Sequence, residues 1–414
     1  MAKNKEQGKA LVPIQIDAGN SVKIVQVDGG LITGLPGGET ISVPDNTKFP
    51  EGAAEKEMLS IIIPVYNVEK YLEQCLKSIV SNRTEKKPPI EVLIINDGSG
   101  DRSGEIADSY AERYSFIRVI HQPNKGVAAA RNVGMESARG EWLYFVDSDD
   151  YLTKGAVDIL LRRCAKSVDS DIILFDAWKN IGRKKSAWEH FEKETVWHGK
   201  RQIRALQNGV LYFPGMTKVP LAAPWDKVYK REFLQKAGIH FQTELKVLDD
   251  MVFNVEAFGA ADKISYDKNK IYHYRMVPDS ITNSYKPDRV EQDRKVWKFL
   301  EAYREKTFRQ DKWEQEEKER FLQACYCRII KSFSICCRLC FFNPQNKDKL
   351  TNKLQYVKEV LKTAPYDEAF HHVKLKNAEW KLKIVILMGR RRWSTGIYFL
   401  HIAENILRYV NRSG

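Results

Sequence analysis

The chain contains no uninterrupted apolar stretch of the roughly 20 residues that a membrane-spanning helix needs. Its opening residues, Met1-Ala2-Lys3-Asn4-Lys5-Glu6-Gln7, are polar and lack the apolar centre of a secretory leader. Both absences predict a protein that stays on the cytoplasmic side of its synthesis. Cysteine is sparse, seven in 414 residues, an odd count for a disulfide framework and one that fits a reducing compartment. Cys325, Cys327, Cys336, Cys337 and Cys340 follow none of the usual zinc spacings. They sit among Tyr326, Ile329, Ile330, Phe333 and Leu339 at helical spacing and read as small buried hydrophobes. No zinc-finger, RNP or helix-turn-helix signature is present, which argues against a nucleic-acid reader. No repeat at solenoid periods occurs.

What is present is an ordinary globular composition, 43% hydrophobic and 29% charged. A chain this long buries a core and exceeds one typical domain. The formal net charge of +13 favours a polyanionic partner, whether nucleic acid, an acidic membrane surface or a phosphorylated substrate.

Residues 1–57 form an extension that reads as small strands or a linker and carries no assignable chemistry. From Leu59 the pattern changes. Ser60-Ile61-Ile62-Ile63-Pro64-Val65, Ile90-Glu91-Val92-Leu93-Ile94-Ile95, Phe116-Ile117-Arg118-Val119-Ile120 and Trp142-Leu143-Tyr144-Phe145-Val146 are apolar runs of the kind buried on both faces of a sheet. Between them lie helical patterns: Tyr71, Leu72, Cys75, Leu76 and Ile79; then Ile106, Ala107, Tyr110 and Tyr114 with Ser103 as N-cap; then 127–138. Ile172-Ile173-Leu174-Phe175 is a further strand. Alternating strands and helices predict a Rossmann-like α/β domain over 58–287 with a mainly parallel sheet. From Asp288 to the end the pattern predicts a helical region, 288–414.

In open sheets of this kind ligands bind beyond the carboxyl ends of the strands, and the polar clusters fall there. Asp147-Ser148-Asp149-Asp150 ends the fourth strand. Carboxylates two apart can converge on a hard cation and leave positions for substrate phosphates; the plainer reading is an acidic turn. Asp97 ends the second strand, able to accept from a nucleobase or ribose or simply to make an Asp-Gly turn. Lys125-Gly126 through Arg131-Asn132 joins a strand to a small-residue helix whose cations either face phosphates or cap an ordinary helix start.

Ser60 to Asn67, Asn96-Asp97-Gly98-Ser99, Asn124-Lys125-Gly126 through Ala130-Arg131-Asn132, and Asp147-Ser148-Asp149-Asp150 together resemble the family 2 glycosyltransferases of GT-A fold, in that family's order. The likeness covers 58 to about 285. It implies a nucleotide-sugar donor, probed by Pro64, Tyr66 and Asn67, with Tyr66 stacked on the base and Asp97 holding uracil. It implies Lys125, Gly126 and Arg131 near the nucleotide and its phosphates, Asp147 on ribose or sugar, and Asp149 on Mn²⁺ or Mg²⁺. One departure is Gly100, where the family has Thr or Ser before the Asp that is Asp101 here.

The later motifs are matched too. Leu248-Asp249-Asp250-Met251-Val252-Phe253 resembles the family's acidic pair, with Asp249 in place of Glu and Asp250 the implied catalytic base. Read alone, the pair is an N-cap. Ala223-Pro224-Trp225-Asp226-Lys227 resembles the acceptor-side segment, Asp226 replacing Asn, so Trp225, Lys227 and Asp249 fall on the acceptor side. Ile271-Tyr272-His273-Tyr274-Arg275 with Asp279-Ser280-Ile281-Thr282 resembles the closing loop. There His273 is implied as a second metal ligand, against the plainer reading of a structural histidine, and Arg275 and Ser280 are implied at the diphosphate. The likeness implies an inverting hexosyl- or N-acetylhexosaminyltransferase of cell-surface polysaccharide, lipid-linked oligosaccharide or wall-polymer synthesis. The alternatives are an inactive GT-A domain used as a binding module and a basic nucleic-acid-binding protein.

The tail adds Leu382, Ile384 to Met388, then Arg390-Arg391-Arg392-Trp393 and Ile397 to Leu400. From Phe370 onward nine Lys/Arg stand against two Asp/Glu. A basic amphipathic segment with aromatic residues predicts peripheral contact with an anionic membrane; the alternatives are a core-closing helix and an oligomer seam.

Overall fold

A computed structural model describes residues 58–413 except 82–88, 183, 213, 215–216 and 277–283, together with four short strands in the first 57 residues. These are β1 (Pro13–Ile14), β2 (Ile24–Val27), β3 (Gly30–Thr33) and β4 (Ile41–Ser42), paired β1 with β4 and β2 with β3.

The main sheet begins as the sequence predicts. β5 (Leu59–Val65), β6 (Ile90–Asp97), β7 (Ile117–Gln122) and β8 (Trp142–Phe145) are parallel in the order β8-β5-β6-β7. Helices α1 (Glu69–Val80), α2 (Ser103–Arg113) and α3 (Val127–Ser137) make the crossovers. Every residue of β5 and β6 is buried, which explains why their runs do not alternate. The period of two still sorts them. Ile61, Ile63, Val92 and Ile94 join α1 and α2 in one core, whereas Ile62, Leu93 and Ile95 face the other side. At the back of β5, Gly134 of α3 lies so close that an added Cβ would meet Ile62 Cγ2 at 2.3 Å.

The second half of the sheet is mixed rather than parallel. After β9 (Tyr151–Leu152) and α4 (Ala156–Lys166) comes β10 (Ile172–Ile181), longer than the apolar run that marks it, with β11 (Lys184–Trp188) antiparallel to its far end. There follow β12 (Thr195–His198), α5 (Gly199–Leu211), β13 (Lys227–Lys230), α6 (Arg231–Ala237), α7 (Asp249–Ala260) and β14 (Lys263–Arg275). β13 inserts antiparallel between β8 and β10, with Val228 opposite Tyr144 and Ile173, and β14 runs parallel to β10. β14 also pairs with β9, placing His273 opposite Tyr151.

The C-terminal region is helical as predicted: α8 (Arg289–Gln310), α9 (Gln315–Cys336), a π-helical turn at Cys337–Phe341, then α10 (Leu350–Val360), α11 (Tyr366–His372), α12 (Trp380–Arg390) and α13 (Ser394–Ser413). Its apolar residues form one continuous core with the Ile62 face of the sheet, reaching as far as Phe333, Phe370, Ile386 and Ile397. All seven cysteines are free, and all but the half-buried Cys325 are buried, in keeping with a packing role. Within the described residues no helix is long and apolar enough to cross a membrane.

Candidate active site

Three loops meet beyond the carboxyl ends of β5, β6 and β8. The first two are laced together. Asn67, at φ +47°, donates its amide to Ser99 Oγ at 3.1 Å and accepts the Gly100 amide on Oδ1 at 2.8 Å. The Val68 amide donates to Ser103 Oγ at 2.9 Å, and Asp101 accepts the Glu69 and Ser103 amides at 3.0 Å each. Ser103 is therefore the first residue of α2 and not its N-cap; its hydroxyl is spent on the neighbouring loop. Gly100 causes no break in this lacing. Pro64 is buried in β5, and Tyr66 follows with its side chain in the open, 47% exposed.

Asp97 is 2% exposed. Its carboxylate accepts Gln122 Nε2 at 2.6 Å, the Lys125 amide at 2.9 Å and the Gly126 amide at 2.8 Å. It thus folds the loop that leads into α3. Gly126 takes φ +90° there, which a side chain rarely tolerates. Lys125 stands exposed on that loop.

The third loop is the acidic turn. Asp150 is 1% exposed and accepts the Tyr272 hydroxyl at 2.8 Å and the Arg275 amide at 2.6 Å. Tyr272 in turn accepts the Asp147 amide at 3.1 Å. Burial, then Asp149 and Asp147, push the Asp150 carboxyl well above the ordinary range. Asp149 is raised to about 6 by burial and by Asp147. Among the described residues no donor of another residue meets its carboxylate.

The Ala223 to Lys227 segment packs against β14. Trp225 is stacked between Tyr272, 4.7 Å away, and Tyr274, 5.4 Å away. Lys227 is fully buried, donating to Asp226 at 2.5 Å and to the Ala223 carbonyl at 2.6 Å. His190 Nε2 lies 3.0 Å from the other Asp226 oxygen. Burial lowers the Lys227 ammonium, and Asp226 opposes that shift. Asp249 and Asp250 begin α7 directly after Leu248, which holds the N-cap place at φ +59°, so the acidic pair is inside the helix. Arg131 binds both: Nη1 to Asp250 Oδ1 and, at 3.5 Å, to Asp249 Oδ2. Its Nη2 reaches Asp147 Oδ1 at 3.0 Å. Burial, against the pull of Arg131, raises the Asp250 carboxyl to about 7, although its side chain keeps 37% exposure at the cleft.

The structure thus brings together Tyr66, Asn67, Asp97, Lys125, Gly126, Arg131, Asp147, Asp149, Asp249 and Asp250 around one sheet end. Arg275 joins through Asp150; its guanidinium lies 4.8 Å over Tyr71 and 5.3 Å over Tyr151 and donates to Gln74. His273 lies on the same β14 segment as Tyr272 and Arg275, opposite Tyr151. Its ring stacks on Tyr151 at 4.4 Å, Nδ1 meets Asn180 Nδ2 at 3.1 Å, and burial lowers it to about 4. No group of three or more His, Cys, Asp or Glu poised for a metal occurs among the described residues. Ser280 lies outside the described residues. Two residues that the motifs did not single out prove central: Asp150 and Tyr272, which tie the acidic turn to β14. The only sequence signal was their presence inside runs already marked for other reasons.

The comparisons agree with this geometry. Residues 60–236 match the model of "Glycosyl transferase family 2". EpsJ of Bacillus subtilis, named an uncharacterized glycosyltransferase, is 34% identical over 239 residues, 56% of this chain and 64% of EpsJ, so the chain spans a little under two thirds of that relative. EpsH of the same organism, also named a glycosyltransferase, is 28% identical over 361 residues, 86% of this chain and 97% of EpsH. Among solved structures, a fragment of TarS from S. aureus in complex with UDP superposes with a TM-score of 0.57 at 22% identity, covering 84% of this chain and 91% of that one. That likeness is one of fold. With the four motifs meeting at one sheet end, residues 60–236 of this chain are similar to glycosyl transferase family 2.

Proposed function

We propose that the chain is an inverting glycosyltransferase, moving a hexosyl or N-acetylhexosaminyl group from a UDP-sugar to an acceptor hydroxyl. The observation that carries this reading is the pairing of carboxylates across the cleft: Asp147 and Asp149 after β8, Asp250 at the start of α7, with Arg131 between. Tyr66 stacks on the base, beside the turn that Asp97 shapes and that Lys125 and Gly126 extend. Asp147 holds ribose or sugar, and Arg275 faces the diphosphate. Asp250 takes the proton of the acceptor hydroxyl as its oxygen forms a bond to the anomeric carbon. The bond from that carbon to the diphosphate breaks on the opposite face, and its electron pair leaves with UDP. A carboxyl raised toward neutral suits a general base.

Asp149, half-buried, raised to about 6 and met by no donor of another described residue, fits a divalent cation. One or two carboxylates plus substrate phosphates are the ordinary setting of Mg²⁺ or Mn²⁺, and a bound cation would stabilise the leaving diphosphate. His273, kept neutral by burial and held at Nδ1 by Asn180, has Nε2 as its second ring nitrogen for that set.

TarS is named a poly(ribitol-phosphate) beta-N-acetylglucosaminyltransferase and is 29% identical over 219 residues. This supports a wall-polymer, polysaccharide or lipid-linked acceptor here. Peripheral docking on an anionic membrane is part of the proposal. α12 buries Leu382, Val385 and Ile386 yet leaves Trp380 and Leu387 exposed seven residues apart; beyond it Trp393, Phe399, Ile406 and Leu407 are exposed, with Lys381 and Arg391 beside them. Exposed aromatics among cations are the pattern of an interfacial surface.

The test is release of free nucleotide from a panel of UDP- and GDP-sugars with Mn²⁺. UDP release from one UDP-sugar supports the reading; no release from any donor would overturn it.

A further inference from the structure

Arg131 was expected at the phosphates of the donor, but its surroundings give it other work. The side chain is 4% exposed, and its two Nη atoms are turned to Asp147, Asp249 and Asp250. Carboxylates from two elements, the turn after β8 and the start of α7, already hold both Nη atoms, so the fork is aimed at acids rather than outward. A buried guanidinium left without its counter-charges is costly, so it stays where they are. Asp250, Asp147 and Asp249 outweigh the burial and hold it firmly protonated.

The guanidinium is also fixed from behind. Its Cζ lies 5.0 Å from the ring centroid of Phe241. Phe241 stacks in turn on Phe253 of α7, at 4.0 Å and 2°. The neighbouring residue holds Phe241 in place: Asn132 Nδ2 donates to the Phe241 carbonyl at 2.8 Å, and Asn132 Oδ1 accepts its amide at 2.8 Å. Asn132 is buried, and both of these bonds run to a segment 109 residues away. The small residues around them on α3 let the helix approach this closely.

We propose that Arg131 is a positioning residue: with Asn132 and Phe241 it forms a brace that fixes Asp250 relative to Asp147, and it does not bind donor phosphate. The proposal rests on the reading of the chain as a glycosyltransferase with Asp250 as base. The planar fork is what the brace needs, because one cation must hold carboxylates from two different elements at once. Lysine, a point charge on a flexible stem, keeps the charge and loses the two-sided geometry.

The experiment compares wild type, Arg131→Lys and Asn132→Ser, each first shown folded by thermal melting. UDP affinity is measured by calorimetry in Mn²⁺, and kcat at saturating donor is measured separately. The brace predicts UDP affinity within about threefold of wild type and kcat lower by roughly 10²-fold in Arg131→Lys, the scale of a small misplacement of a reacting group. Asn132→Ser moves the same way by a smaller factor. In Arg131→Ala, millimolar guanidinium should restore turnover and equal sodium chloride should not. A tenfold or greater loss of UDP affinity with kcat nearly unchanged would make Arg131 a phosphate ligand and overturn the brace. So would wild-type kcat in Arg131→Lys, or an Asn132→Ser variant that is folded and unaffected should Arg131→Lys fail to fold. A wild type inactive on every donor takes down the glycosyltransferase reading and the brace with it; an active wild type with the outcomes above takes down the brace alone.

Discussion

The hydroxyl of Tyr272 donates to Asp150 at 2.8 Å and accepts the Asp147 amide at 3.1 Å, so one side chain of β14 holds the acidic turn after β8 at two points. Removing that oxygen leaves the Asp150 carboxylate buried with one partner fewer. Tyr272→Phe should destabilise the fold by about 1–3 kcal/mol, the cost of a buried acceptor losing a donor. Chemical denaturation measures this, and an unchanged midpoint would show that the tie carries no load.

The base is the next expectation. Asp250→Asn keeps the shape and removes the proton acceptor, so transfer should fall by roughly 10²–10⁴-fold while UDP binding survives. Asp249→Asn should do less. The opposite ranking would reverse the two roles, and two near-normal variants would place the base elsewhere.

The pH profile follows from the same carboxyl. Asp250 works as a base only when ionised, and burial raises it to about 7. In wild type, kcat/KM should therefore climb with pH through about 7 and level off above, losing about tenfold per unit on the acid side. A profile flat from pH 5 to 8 would be incompatible with this assignment.

The cation has a readout that needs no turnover. Mn²⁺ binding only to the folded chain raises its melting temperature by mass action. Wild type should gain a few degrees in millimolar Mn²⁺ with UDP, and Asp149→Ala should lose that gain and the metal-dependent activity. His273→Ala should lower the gain in part, since Nδ1 is held by Asn180 and Nε2 is the nitrogen offered to the cation; an unchanged gain would leave Asp149 as the ligand without it. Full activity in EDTA would remove the cation from the scheme.

The membrane surface is tested by substitution, because Ile386 and Ile397 lie in the core and truncating the tail would open it. Trp393→Ser with Phe399→Ser should reduce co-sedimentation with vesicles containing anionic lipid, and added salt should reduce it in wild type, as screening requires. Binding that survives both would argue for another surface.

Much of the first half of the sheet was legible in the sequence. Its strands are short apolar runs closed by Asn, Asp and Gly, and their parallel direction follows from the helical crossovers. The second half was less so. Nothing local to Lys227-Val228-Tyr229-Lys230 says that it pairs antiparallel with both β8 and β10, because strand partners are chosen by distant residues. The resemblance put Lys227 on the acceptor side, and only the third dimension supplies the Asp226 and Ala223 oxygens that surround it. The tail shows the same limit. Periodicity marked Leu382 to Met388 as apolar but could not say which side of α12 would be covered.

The insertion of β13 between β8 and β10 also fixes an order of events during synthesis. When Phe145 leaves the ribosome, β8 can already align with β5, but its other edge stays bare until Lys227–Lys230 has been made. At ordinary translation speed that interval is on the order of ten seconds. For that time the nascent chain exposes a sheet edge ending in a cluster of carboxylates, whose mutual repulsion discourages a second nascent chain from pairing there.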